Sequence, residues 1–265
     1  MSLVGKRERG DRDDSKETTA CITHHSKRGW TMDLTEQLVH CAEELDLDFI
    51  GFCSVVHLDR APPDRRPEIY LSDARSVISI GYRLNRGSIH NLPVTRSAYM
   101  LEHDHANRHL DKASHLIARF VEDRGHTAIG FDSGAGFYHE AGKTPPRFAG
   151  DVSHKHAAVA CGVGKFGLNN LVLHPQWGPR FRLATVITNA DLRPISSVDV
   201  NPCPAGECEK CVDICPVGAL QGWEGVYDPE LGWAMDKKKC YDYIFTTLRG
   251  RRCGLCVKAC PVGNL

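Results

Sequence analysis

The chain carries no excess of charge of either sign, since Lys+Arg and Asp+Glu stand at 33 each over 265 residues. A global positive field of the kind that draws a protein onto nucleic acid or an anionic membrane is therefore absent, and only a local patch remains for that purpose. Long apolar runs are missing too. Residues 1–32 are charged and contain no hydrophobic h-region, which excludes a secretory signal or a membrane span there and predicts a disordered tail outside the fold. No membrane partner is expected.

Cysteine is what the chain has in quantity. Eight of its twelve cysteines fall between Cys203 and Cys260. Twelve cysteines in a secreted protein would suggest disulfides, but metal-ligand spacing in these eight points to a reducing interior, and the cytoplasm is the expected compartment. Cys208, Cys211 and Cys215 form a C-x-x-C-x-x-x-C-P run, and Cys253, Cys256 and Cys260 form a second. Thiolates are soft ligands that suit iron–sulfur clusters, and in such a run the last cysteine ligates the other cluster. The spacing thus predicts one [4Fe–4S] cluster on Cys203, Cys208, Cys211 and Cys260, and another on Cys240, Cys253, Cys256 and Cys215. Two gaps depart from the plain ferredoxin pattern: four residues separate Cys203 from Cys208, and Cys240 stands 13 positions ahead of Cys253. Cysteine tetrads also hold structural zinc, but the twin C-P runs favour two cubes.

The cysteine-rich stretch is locally basic through Lys237, Lys238, Lys239, Arg249, Arg251, Arg252 and Lys258. Either these residues dock an acidic electron donor or a nucleic acid, or they compensate the anionic clusters.

Upstream, residues 33–195 mix helical and strand periodicity, which predicts an α+β domain around one sheet, followed at 196–265 by a small two-cluster ferredoxin-like domain. Asp33 is placed to cap a first helix. Strands are predicted at 49–56, 76–82, 127–131, 171–174 and 180–188, the last two joined by a turn. A long helix is predicted over 97–124 with Leu101, Leu110, Ala113, Leu116, Ile117, Phe120 and Val121 on one stripe, and a second helix over 153–161. Gly162, Gly164 and Gly167 spell G-x-G-x-x-G, but they close a helix instead of opening one after a strand, which excludes a dinucleotide-binding fingerprint. His103, His105 and His109 read as a solvated or partly buried helix surface, and Cys21, Cys41, Cys53 and Cys161 as small packed hydrophobes.

Three stretches carry a resemblance to a known family: Arg66-Pro-Glu with Ala74-Arg-Ser-Val-Ile-Ser-Ile-Gly; Cys161-Gly-Val-Gly-Lys-Phe-Gly-Leu-Asn-Asn-Leu; and Pro175-Gln-Trp-Gly-Pro-Arg-Phe-Arg-Leu leading to Val186-Ile-Thr and the cysteines. Over roughly 40–265 the sequence resembles the epoxyqueuosine reductase and reductive dehalogenase group, which joins a nitroreductase-like corrinoid-binding domain to a two-cluster ferredoxin module. The resemblance implies a reductase in which the clusters feed electrons to cobalamin, flavin being the lesser alternative, with an external low-potential electron donor and a small-molecule or corrinoid substrate. Asp132 resembles the family's proton donor. Gly162, Gly164, Gly167 and Asn169 correspond to the glycine turn that lets backbone approach the corrin. His154 and His156 would stand close to the cofactor, Arg180 and Arg182 would face phosphate or propionamide groups, and Tyr99 and Tyr138 are further candidate donors. The chain stops at Leu265 without the helical extension of the tRNA-acting members, and its 135–152 segment has no match in them, so tRNA is expected to be a doubtful partner. The alternative to an enzyme is a non-catalytic electron-transfer or redox adaptor protein.

Overall fold

Helix α1 (Leu34–Glu44) begins where the sequence places it because Asp33 and Glu36 close a capping box: the Glu36 N–H donates to Asp33 Oδ1 at 2.9 Å, and the Asp33 N–H donates to Glu36 Oε2 at 3.3 Å. Arg193 donates to both carboxylates at 2.7 Å, tying the end of the first unit to its start. The computed structural model describes residues 32–134, 150–195, 197–204 and 206–263. Nearly all of the predicted tail, Cys21, Tyr138 and most of the unmatched 135–152 segment lie outside them.

After β1 (Phe49–Ser54) come the short α2 (Pro67–Tyr70), then β2 (Ser76–Arg83), α3 (Arg86–His90), α4 (Ser97–Glu122) and β3 (Ala128–Phe131). Next are α5 (His154–Ala160), β4 (Lys165–Phe166), β5 (Val172–Leu173) and β6 (Phe181–Thr188). One antiparallel sheet orders as β1-β2-β6-β3, with Cys53 opposite Val77 and Ile80 opposite Ala184. Its side chains alternate between two cores, as the two-residue period of a strand requires. Phe52, Ile78, Ile80, Ala184 and Val186 face α1 and α4; Cys53, Val77, Leu183 and Ile187 face α5 and the glycine turn. The 171–174 strand is not the hairpin partner of β6, because β5 pairs with β4 as a separate ribbon, Phe166 opposite Val172.

Helix α4 covers the sheet with a stripe that runs through Tyr99, His103, Ala106, Leu110, Ala113 and Ile117. Leu101 is not part of it and is 65% exposed, since two residues carry it about 200° round the helix from Tyr99.

The cysteine-rich stretch supplies α6 (Lys210–Asp213), the ribbon β7 (Tyr227–Asp228) and β8 (Gly232–Trp233), α7 (Lys237–Asp242) and α8 (Leu255–Ala259). It shares an apolar cluster with the first unit, in which Leu255 and Val257 pack with Leu84, Ile89, Leu92 and Tyr99. Arg96 donates to the carbonyls of Arg252 at 3.1 Å and Cys253 at 2.6 Å, and Asn201 Nδ2 to that of Phe166 at 3.0 Å. Among the described residues no helix is long and apolar enough to cross a membrane.

Candidate active-site cavity and cluster thiols

Between the α5 face of the sheet, the start of α4 and the cysteine-rich stretch lies a cavity of about 1370 Å³. Ordinary ligand pockets run to roughly 300–1,000 Å³. The space therefore suits a large cofactor with a substrate beside it.

The eight predicted ligand thiols sort into two groups. Burial, with Cys260, Cys203 and Cys208 as neighbours, pushes the Cys211 thiol up to about 12. Burial, with Cys203 and Cys208 nearby, takes Cys260 to about 11. Cys256 is raised by burial and by Cys253, Cys240, Cys211 and Cys215, and Cys240 by burial, Cys253 and Cys215. Cys211 of the first group also acts on Cys256 of the second, which sets the groups side by side. Cys215, Cys240, Cys253 and Cys256 line the cavity, and none of the other four does. Among the described residues no three His, Cys, Asp or Glu side chains converge on a single-ion site; sulfurs that hold a cube stand further apart, because iron and sulfide lie between them. The donor chemistry fits a cluster.

Within the glycine turn the three glycines differ in use. Gly162, at φ 73, lines the cavity. Gly164 and Gly167 do not: a Cβ on Gly164 would lie 2.4 Å from the Leu173 carbonyl oxygen, and one on Gly167 would lie 2.5 Å from the Leu173 side chain. They make room for β5, not for a cofactor. Asn169 is buried at the cavity wall, with its Nδ2 3.5 Å from the Cys256 carbonyl oxygen. His154 and His156 also line the wall, but their ring nitrogens are engaged. The His154 Nε2–H donates to the Asp132 carbonyl at 2.9 Å and Nδ1 accepts from the Thr185 hydroxyl at 2.8 Å, a tautomer dictated by the carbonyl, which can only accept. His156 pairs with the Ser153 hydroxyl and the Leu231 carbonyl. Asp132 itself is exposed at the end of β3, accepts from the Gly134 N–H, and adjoins the cavity through Ser133 and Gly134.

Arg180 is turned away from the cavity, contrary to expectation. It precedes β6, is 5% exposed, and donates from Nη2 to the Gly263 carbonyl at 2.7 Å. Arg182 does line the wall, beside Tyr99 and His103. Lys155 lines it as well, donating to the Asn170 carbonyl at 2.8 Å, with burial holding its amine down at about 8. Nothing in the local pattern distinguishes Lys155 from a solvated helix lysine, which is why the sequence does not single it out.

His103 was expected on a solvated or partly buried surface and is 5% exposed. Burial, then Arg182 and Arg252, hold its imidazole down at about 3 against an ordinary 6.5. The unfolded chain therefore binds a proton that the fold rejects, so the stability due to this group is complete above 6.5 and is lost as pH falls from there towards the folded value. Moving from about pH 7.5 to about pH 5.5 should lower the melting temperature of the wild type more than that of His103→Gln. Equal drops by circular dichroism would remove His103 from the acid response.

Residues 203–263 match the family described as a 4Fe-4S double cluster binding domain. Epoxyqueuosine reductase of Bacillus anthracis is 32% identical over 99 residues, covering 37% of this chain and 23% of that protein. Tetrachloroethene reductive dehalogenase of Sulfurospirillum multivorans is 31% identical over 119 residues, covering 41% and 23%. This is a family-level match to epoxyqueuosine reductase and reductive dehalogenase-like proteins. The matched stretch spans about a quarter of each of these relatives. The fold agrees with that of solved family structures: epoxyqueuosine reductase from Streptococcus thermophilus superposes with a TM-score of 0.60 at 19% identity, over 88% of this chain and 67% of that one. An epoxyqueuosine reductase bound to an epoxyqueuosine-modified tRNA-Tyr stem loop superposes at 0.57 with 21% identity, over 87% and 65%. That complex corrects the expectation that tRNA is a doubtful partner. The expectation rested on a missing extension and an unmatched 135–152 segment, yet the fold shared with this chain is the one seen with tRNA, and the end of a chain says nothing against it.

Proposed function

We propose that the chain is an iron–sulfur oxidoreductase in which two [4Fe–4S] clusters deliver electrons to a corrinoid held in the cavity, for reduction of a substrate. The observation that carries this reading is the asymmetry of the thiols: Cys215, Cys240, Cys253 and Cys256 line the cavity, while Cys203, Cys208, Cys211 and Cys260 stand behind them. On this reading residues 33–195 are the cofactor domain and 196–265 the cluster domain; Cys203, Cys208, Cys211 and Cys260 would hold the rear cluster and Cys215, Cys240, Cys253 and Cys256 the one that faces the cavity, and the pair would supply one-electron transfer. A corrinoid supplies a low-potential cobalt centre; the chain supplies its setting. Gly162 and Asn169 form the near wall, and Lys155 lines the same cavity as Cys240 and Cys256, which act on its amine. Asp132 is the proposed proton donor, brought to the cavity edge by β3 and oriented there by its bond to Gly134. The substrate class includes a modified tRNA stem loop, the ligand of the structural neighbour. The thiol chemistry needs a reducing compartment such as the cytoplasm.

Reconstitution with iron, sulfide and hydroxocobalamin tests the proposal. After gel filtration about eight irons and one corrin per chain are expected. Loss of corrin from a cluster-loaded protein would leave an electron carrier, and retention of flavin in its place would transfer the chemistry to flavin.

A further inference from the structure

The cavity wall is unbalanced in charge. Among the described residues seven Lys and Arg side chains line it against two carboxylates, Asp228 and Glu230, and both carboxylates are taken by Arg60 at 2.8 and 3.0 Å. Compensation of the clusters accounts for part of the excess, since Lys155 senses Cys240 and Cys256. It does not account for Arg182. The charges acting on Arg182 are Tyr99, Arg252, Asp111 and Asp132, with no cluster thiol among them.

Both of those aspartates have other bonds. Asp111 Oδ1 accepts from the Ser133 N–H at 2.8 Å and hydroxyl at 2.7 Å, and Asp132 accepts from the Gly134 N–H. Arg182 itself spends Nε on Asn107 Oδ1 at 2.9 Å and Nη2 on the Ser133 carbonyl at 3.0 Å, both neutral. The Arg252 guanidinium stands 5.7 Å from the Phe245 ring centroid. Among the described residues neither arginine forms a salt bridge. Two guanidinium groups thus repel each other across a cavity wall, beside Tyr99, which is 6% exposed. Both guanidinium groups are partly buried on the cavity wall; like charges placed together there are eased by an anion between them, and the guanidinium fork matches the oxygens of phosphate and carboxylate.

We propose that Arg182, Arg252 and the Tyr99 hydroxyl form an anion subsite on the inner cavity wall, which takes one phosphate or carboxylate group of the bound ligand. The subsite rests on the cavity being a ligand site, as proposed above, and the anion has two sources: the nucleotide-loop phosphate of a corrinoid, or an acidic group on the substrate.

Calorimetric titration of the cluster-loaded, corrinoid-free full chain with inorganic phosphate and with benzoate needs no corrinoid, so its outcome is independent of the cofactor assignment. One site is expected, weakened about tenfold or more, or about 1.4 kcal/mol, in Arg252→Gln, less in Arg252→Lys, and unchanged in Lys239→Gln on the exposed surface. Arg182→Gln should match Arg252→Gln if it folds; the Arg252 variants decide the matter if it does not. Absence of binding to the wild type, or binding that survives Arg252→Gln, would overturn the proposal. Cobalamin and cobinamide, which lacks the phosphate, then identify the source. A loss confined to cobalamin assigns the subsite to the corrinoid phosphate; unchanged affinity for both, with phosphate or benzoate binding lost, assigns it to the substrate.

Discussion

Cys256→Ser is expected to cut the iron content from about eight atoms per chain to about four and to reduce electron delivery to background. Its thiol belongs to the cavity-facing group and is within reach of both groups, because Cys211 acts on it together with Cys253, Cys240 and Cys215. Serine offers a hard oxygen in place of a soft thiolate, so the cubane loses a corner where it would hand electrons forward. The companion variants test the exchange of ligands between the two runs. Cys260→Ser should remove the rear cluster and spare the cavity-facing one, although Cys260 follows Cys256 by only four positions; Cys215→Ser should do the reverse. Iron analysis with electron paramagnetic resonance of the reduced protein reads both. Full iron in Cys256→Ser would contradict the ligand set, and loss of the same signal in Cys256→Ser and Cys260→Ser would show that the runs do not cross.

A single methyl group should also be costly at Gly178. This residue has φ +56, and a Cβ there would lie 1.9 Å from the Val262 carbonyl oxygen. Backbone meets backbone at that point, so no rotamer relieves the clash. Relief requires the C-terminal segment to lift, which breaks the Arg180 bond to Gly263 at 2.7 Å and disturbs Cys260 two residues before Val262. Left-handed strain and overpacking together should cost about 3 kcal/mol or more, a fall of about 6–12 °C in melting temperature for a chain of this size. The rear cluster should loosen with it. Gly250 is the control, because at φ +83 it has nothing within 4 Å of its added Cβ; Gly250→Ala should cost only about 1 kcal/mol of backbone strain. Equal losses in the two variants would mean that the approach of Val262 does not matter.

The sequence by itself determined whatever local spacing encodes. Two thiols three positions apart sit on one turn of chain, so the cysteine runs announce cluster chemistry without any knowledge of the fold. The Asp33–Glu36 cap and the stripe on α4 are legible for the same reason, since their partners lie within one or two helical turns. Leu101 shows the limit even there, where an apolar residue was assigned to the stripe despite its angle. Tertiary structure alone decided which of these residues share a space. Arg180 and Arg182 have the same sequence parity, but Arg180 lies outside the strand under the C-terminal segment, and only Arg182 reaches the cavity. Gly164 and Gly167 look like cofactor-facing glycines until Leu173 is packed against them. Lys155, Arg182 and Arg252 gain their common wall from elements up to about a hundred residues apart, and burial, which gives an ionisable group its chemistry, is a property of that assembly and not of the residue.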